Sequence, residues 1–278
     1  MKIGVLVLLT DEIEKEIKKV HDFGLTSCQL CSTTPDHFTQ EMADRLVKAS
    51  KEYDVEVSAF WCSWSGPRVW DFYSDPHTLG LVPSEFRSMR LEELKRGSDF
   101  AKMAGIPQLI THVGFIPEVP TSTEYHSLIC AVRHLANYCK NNGQLFLFET
   151  GQETPTTMLR CFEQVGTDNL GVNLDTANLI LYGRANPVDA LDVFGKFVRN
   201  IHAKDGCYPT NGHALGEEKR IGDGKVDFKA LFTKLKELDY DSHVTIEREI
   251  DGEQQLEDVL YARDYLQNII SEVYGGTN

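Results

Sequence analysis

Short apolar runs alternate along the chain with longer stretches of helical period. The runs cover Lys2–Leu9, Ser27–Leu30, Val55–Trp61, Gln108–His112, Gln144–Glu149, Leu170–Asp175, Val198–His202 and His243–Glu247. Each is short and apolar nearly throughout, the pattern of a strand buried on both faces. Between them, 11–23 places Ile13, Ile17 and Val20 on one side, and 38–53 spaces Phe38, Met42, Leu46 and Val47 at helical intervals. Further helices are predicted over 84–105, 123–141, 155–165, 187–195, 227–239 and 253–274. Thr10, Thr123 and Asp227 stand where helix caps are expected, and Gly24, Gly105 and Gly143 stand where helices should stop.

Eight strands alternating with eight helices predict a parallel α/β arrangement, because parallel strands need crossover connections and helices supply them. A closed barrel fits the count best, so the expectation is a single (β/α)8 TIM-barrel domain over 1–278. An open doubly wound sheet is the runner-up. It wants a glycine-rich turn after the first strand, and "VLLTDE" holds no glycine. No Pro/Gly/Ser linker, internal repeat or low-complexity tract interrupts the chain. Two irregular insertions, 62–83 and 206–226, each follow a strand, which places both on the C-terminal face of a barrel, where long loops carry function.

Composition narrows the class of partner. With 278 residues, 41% hydrophobic and 25% charged, the chain has ample material for one large core. A formal charge of −14 argues against nucleic acid, whose phosphates need clustered Lys and Arg. No apolar stretch approaches the roughly 18–20 residues of a membrane span, and the early "IGVLVLL" lacks a cleavage-like small-residue site. The seven cysteines are scattered, with only Cys28 and Cys31 close together. They read as reduced thiols, and the protein as cytoplasmic, with no membrane partner.

The strand ends carry the chemistry. "QLFLFE" stops on Glu149, "LGVNLD" on Asp175, "VRNIH" on His202 and "HVTIE" on Glu247. On neighbouring strands of a barrel these three carboxylates and one imidazole converge on one rim. Without compensation the carboxylates would repel, and a divalent cation removes that penalty. An oxygen-rich donor set with one histidine and no thiolate suits Mn²⁺, Mg²⁺ or Co²⁺ and also admits Zn²⁺. His112 ends the fourth strand on the same rim and is a candidate hydrogen-bonding partner for substrate. Trp61 and Trp64 in "FWCSWSG", with Trp70, Phe72 and Tyr73 in "WDFY", are candidates for a wall that stacks on a sugar. Lys204 lies two residues after a ligand, and Asp205 is expected to orient His202 or Lys204.

The segments "LFLFETG" (145–151), "GVNLDTAN" (171–178), "IHAKDG" (201–206), "IGDGKVDF" (221–228) and "TIERE" (245–249) resemble the xylose-isomerase-like barrels, in particular the sugar-phosphate isomerase/epimerase group with its ketose 3-epimerases and inosose-processing enzymes. The resemblance covers nearly the whole chain. It implies one divalent metal held by Glu149, Asp175, His202 and Glu247, with Glu149 and Glu247 as the acid/base pair. It also implies substrate contacts at Lys204 and Arg220 and a homo-oligomer, dimer or tetramer. Two positions depart from the pattern. Asn178 stands where many members have a histidine. Glu153 is the nearest acid to a glutamate that many epimerases place about six residues after the first.

These residues suit proton abstraction next to a carbonyl on a sugar or keto-sugar, free or phosphorylated, through a metal-stabilised enediolate. Returning the proton to the opposite face is epimerisation, and returning it to the neighbouring carbon is aldose–ketose isomerisation. A dehydratase or lyase on a keto-sugar, keto-glycoside or inosose is the alternative, since it uses the same enolate chemistry. Abasic-site endonucleases share the barrel but need further histidines where this chain offers Ser32, Trp61 and Asn178. A non-catalytic relative would have no reason to keep four convergent polar groups.

Overall fold

A computed structural model describes residues 1–275. Eight strands close into a parallel barrel: β1 (Lys2–Leu8), β2 (Ser27–Ser32), β3 (Glu56–Cys62), β4 (Gln108–Thr111), β5 (Leu145–Glu149), β6 (Leu170–Asp175), β7 (Val198–Ala203) and β10 (His243–Ile246). β1 closes the ring by pairing with β2 on one side and β10 on the other, where Lys2 faces His243 and Val5 faces Ile246. The closed-barrel expectation holds.

The helices α1 (Ile13–Asp22), α2 (Gln40–Tyr53), α4 (Ser84–Met103), α5 (Thr123–Asn141), α6 (Pro155–Val165), α8 (Pro187–Phe194), α9 (Phe228–Glu237) and α10 (Glu253–Tyr274) lie within a few residues of the predicted spans. Asp227 caps α9 by accepting the Ala230 N–H, as expected. The other two caps are displaced. Ser122 rather than Thr123 caps α5, and Thr10 accepts the Glu12 N–H one turn ahead of α1. Gly24, Gly105 and Gly143 follow helix ends with φ of +68°, +72° and +76°, a backbone that glycine adopts without a side-chain clash.

Two one-turn helices, α3 (Asp75–Thr78) and α7 (Asn178–Leu181), and a small antiparallel hairpin of β8 (Asp205–Cys207) with β9 (Glu217–Lys219) were not predicted. α3 arises inside the first insertion, and the hairpin starts at Asp205, one residue before the second.

Alternation along the strands explains what reaches the site. In "LFLFE", Phe146 and Phe148 face outward, and Phe148 packs edge-on against Phe162 of α6 at 4.9 Å between ring centroids. Leu147 faces inward, where it packs with Ala59 and Ile110, so Glu149, two residues on, also points into the barrel. The same parity sends Val172 and Leu174, Ile201 and Ala203, and Val244 and Ile246 outward into the core under the helices. Their inward neighbours are Asn173 and Asp175, Asn200 and His202, and Thr245 and Glu247. β6, β7 and β10 therefore bury apolar groups on the outer face and turn polar ones inward, unlike the doubly apolar strands expected, whereas Ala59, Ile110 and Leu147 give β3, β4 and β5 an apolar inner face as well.

Candidate metal centre

Glu149, Asp175, His202 and Glu247 meet at the C-terminal mouth of the barrel. One ligand atom from each lies within 4.8 Å of all the others, and all four residues are buried. His202 Nδ1 is 3.0 Å from Glu149 Oε1 and 3.0 Å from Glu247 Oε2. A single ring nitrogen cannot serve both oxygens, and Glu247 Oε2 is left without a hydrogen bond, as is Asp175 Oδ2, 4.0 Å from the same nitrogen. The other oxygen of Asp175 is fixed by the start of α7, accepting the N–H groups of Ala177 at 2.8 Å and Asn178 at 2.7 Å. Two orphaned buried carboxylate oxygens aimed at a shared point, with one imidazole and no thiolate, are the donors that a hard divalent ion takes. The four residues fit such an ion.

The electrostatics show what an ion would relieve. Burial alone would lower His202, but the carboxylates of Glu247 and Glu149 hold it well above the usual histidine range. Burial raises Glu247 too, yet Lys204 and His202 outweigh it and keep this carboxyl well below its ordinary value. Glu149 is likewise held low against its burial by His112 and His202. Asp175 takes the opposite course: burial, only partly offset by Lys204, pushes it well above the carboxylate range. Three carboxyls in one dry site cannot all stay charged on the strength of His202 and Lys204 alone, and they titrate as a set.

The flanking residues sort into those at the mouth and those behind it. The cleft over the cluster, lined by Trp61, Arg68, Trp70, His112, Asn178, Glu149 and Glu247, is one part of a cavity of about 740 Å³ that also runs between β1, α1 and α10, past Val7, Val20 and Val259. Trp61 Nε1 donates to Glu149 Oε2, and His112 Nε2 is 3.5 Å from that oxygen. The Trp70 ring stands edge-on to His112 at 5.0 Å. Lys204 is buried, with its ammonium 2.9 Å from Glu249, 3.6 Å from Glu247, 3.8 Å from Asp175 and 3.4 Å from Asn178 Oδ1.

Three residues expected at the substrate lie elsewhere. Trp64 is buried beneath the insertion, where Arg90 stacks on it at 5.2 Å. Glu153 is shut in behind the cleft, both oxygens lacking a partner, and burial pushes it up to about 8. Arg220 faces away, bonded to Asp223 at 3.0 Å and stacked on Tyr261 at 4.2 Å. Asp205 also differs from expectation. It orients neither His202 nor Lys204, because its carboxylate accepts the backbone N–H groups of Gly206, Gly222, Gly224 and Val226 at 2.8–3.1 Å. This clamp leaves no room for a side chain at Gly224, whose Cβ would stand 2.0 Å from Asp205 Oδ1.

The insertions meet over the mouth. Tyr73 stacks on His213, and Asp75 accepts a hydrogen bond from Tyr182, joining 62–83 to the segments after β6 and β7. One residue at the centre went unpredicted: Gln29 of β2, whose Oε1 meets His202 Nε2. Its only signal in the sequence is an amide in the middle of a strand, in "SCQLC".

The profile of the xylose isomerase-like TIM barrel matches residues 17–269. The chain belongs to that family. A xylose isomerase domain protein from Planctomyces limnophilus superimposes with a TM-score of 0.93 at 33% identity, over 99% of both chains. The fold is also that of a D-tagatose 3-epimerase-like protein, TM-score 0.76 at 18% identity over 99% of both chains. Among sequence relatives, an inosose dehydratase of Geobacillus kaustophilus is 26% identical over 147 residues, 47% of each chain. Members of this barrel family include sugar-modifying enzymes, and the four-residue cluster lies inside the matched span. Among the described residues no helix is long and apolar enough to cross a membrane, and all seven cysteines are unpaired.

Proposed function

We propose that this chain is a divalent-metal-dependent sugar isomerase or epimerase that moves a proton next to a carbonyl of a sugar or keto-sugar. The observation that carries the reading is the meeting of Glu149, Asp175, His202 and Glu247 at one buried point. A divalent ion held there, Mn²⁺, Mg²⁺ or Co²⁺ by its donors, would polarise a substrate carbonyl and stabilise the negative charge that develops when the adjacent proton leaves.

The chain's own groups then divide the work. Glu149 and Glu247, both held in the charged form, are the base and its returning partner. Trp61 and His112 pin Glu149 from the substrate side, so its free movement is small and its basicity is set. Lys204 holds Glu247 from the opposite side and presents an ammonium to substrate oxygens beside Asn178. Trp61 and Trp70 form the apolar wall of the cleft, and the joined insertions shield it from water. Neither Trp64 nor Arg220 has a part in this account.

The deciding experiment is a panel of ketoses, aldoses, keto-glycosides and inososes, incubated with Mn²⁺ in D₂O and scored for deuterium at the carbon next to the carbonyl. Glu149→Gln and Glu247→Gln should each lower turnover by about 10²–10⁴-fold. Activity within about tenfold of the parent in both variants would remove them from the acid/base role. The half-length match to an inosose dehydratase favours a second reading, in which the same proton abstraction is followed by loss of hydroxide. Loss of water from the product, read as a mass change, separates the two.

A further inference from the structure

The barrel interior just below the cluster is crossed by a chain of polar groups. Gln29 is wholly buried in β2, between Leu6 of β1 and Ala59 of β3. The small Ala59 leaves the long amide space to reach across the barrel. There its Nε2 donates to Asn173 Oδ1 of β6 at 3.4 Å, and its Oε1 faces His202 Nε2 of β7. A buried amide is costly unless both ends are satisfied, and here each end meets a partner, Asn173 Oδ1 at one and the His202 ring at the other. With the donor end taken by Asn173, the acceptor end faces the imidazole.

Resting on the metal reading above, we infer that Gln29 is the positioning residue that makes Nδ1 of His202 the metal-binding nitrogen. An acceptor at Nε2 requires Nε2 to carry a proton, so the lone pair of the neutral ring falls on Nδ1. That nitrogen is the one 3.0 Å from both Glu149 and Glu247. Without Gln29 the ring could place its proton on either nitrogen and rotate about its Cβ, and ligation would have to select one arrangement each time. Groups that orient a ligating histidine in this way are typically worth about 10–100-fold in metal affinity.

The test measures Mn²⁺ binding by titration calorimetry at one pH for the parent, Gln29→Leu and Gln29→Glu. Gln29→Leu should bind Mn²⁺ about 10–100-fold more weakly, and Gln29→Glu, which still accepts from Nε2–H, should bind at least as tightly as the parent within about threefold. A role confined to packing would lower the thermal midpoint of Gln29→Leu and leave its Mn²⁺ affinity unchanged, which would overturn the inference. Should Gln29→Leu fail to fold, ring-nitrogen NMR of the Mg²⁺-loaded parent decides. A proton on Nε2 supports the assignment, and a proton on Nδ1 overturns it. If the parent takes up no divalent ion, the proposed function fails along with the inference. If the parent binds Mn²⁺ and Gln29→Leu binds it equally, only the role of Gln29 fails.

Discussion

Replacing Glu153 with Gln removes a proton-binding group that the folded chain holds behind the cleft. Burial lifts this carboxyl from 4.5 to about 8, and neither oxygen has a hydrogen-bond partner. A carboxyl that binds its proton more tightly in the folded state loses stability as pH rises, because the unfolded chain gives up the proton first. The loss starts near the unfolded value and is complete above the folded one, so the window runs from 4.5 to about 8. At about 1.4 kcal/mol per pH unit the ceiling is about 5 kcal/mol. Gln keeps the shape of the neutral acid and does not ionise. Glu153→Gln should therefore be more stable than the parent by about 1 kcal/mol at pH ~5.5 and by about 5 kcal/mol at pH ~9. Urea denaturation in excess EDTA measures both proteins with ion binding removed from the balance. Asp75, pushed up to about 7 by its own burial, titrates in both proteins, and because its charge also helps to raise Glu153 the difference between the two proteins includes that coupling. A stability difference that stays flat between the two pH values would mean that Glu153 reaches solvent or a cation and is not held protonated by burial.

Three further outcomes are expected. His202→Ala should lower Mn²⁺ affinity by more than about a hundredfold, beyond what loss of an orienting partner alone produces, and unchanged metal content by elemental analysis would return this histidine to a packing role. Asp205→Ala removes a carboxylate that holds four backbone N–H groups and should cost about 3–5 kcal/mol by urea titration; a change under about 1 kcal/mol would mean that the loop holds itself. Arg220→Ala breaks an exposed ion pair and should change stability by at most about 1 kcal/mol, with kcat/KM kept within about twofold. A tenfold fall in kcat/KM would put that guanidinium on the substrate after all.

The barrel was legible because its strands are outwardly apolar and its helices amphipathic, two periods that differ along the chain. The cluster was legible because Glu149, Asp175, His202 and Glu247 each continue the inward parity of a strand by one step. What the pattern did not carry was anything fixed across the barrel. Gln29 reads as a polar slip in a strand until β6 and β7 are brought opposite it. Asp205 reads as a neighbour of His202, yet its side chain turns to backbone donors that lie in the loop ahead of α9. The hairpin of β8 and β9 has only three residues a side, "DGC" and "EEK", too few to show alternation. Arg220 and Glu153 were placed by motif distance, and one turns to the surface while the other turns into the core.

The seam between β1 and β10 gives the barrel a temporal order. Lys2 pairs with His243, so the strand made first waits for the strand made last, with one edge unpaired until then. Glu247 follows directly on that last strand, its N–H bonded to Ala203 of β7. Three of the four residues of the proposed metal site can gather on β5, β6 and β7 while the ring is still open, but the fourth arrives with the strand that shuts it. A nascent chain therefore cannot hold an ion in a complete site before its barrel is closed, and metal uptake during synthesis would serve as a readout of the moment of closure.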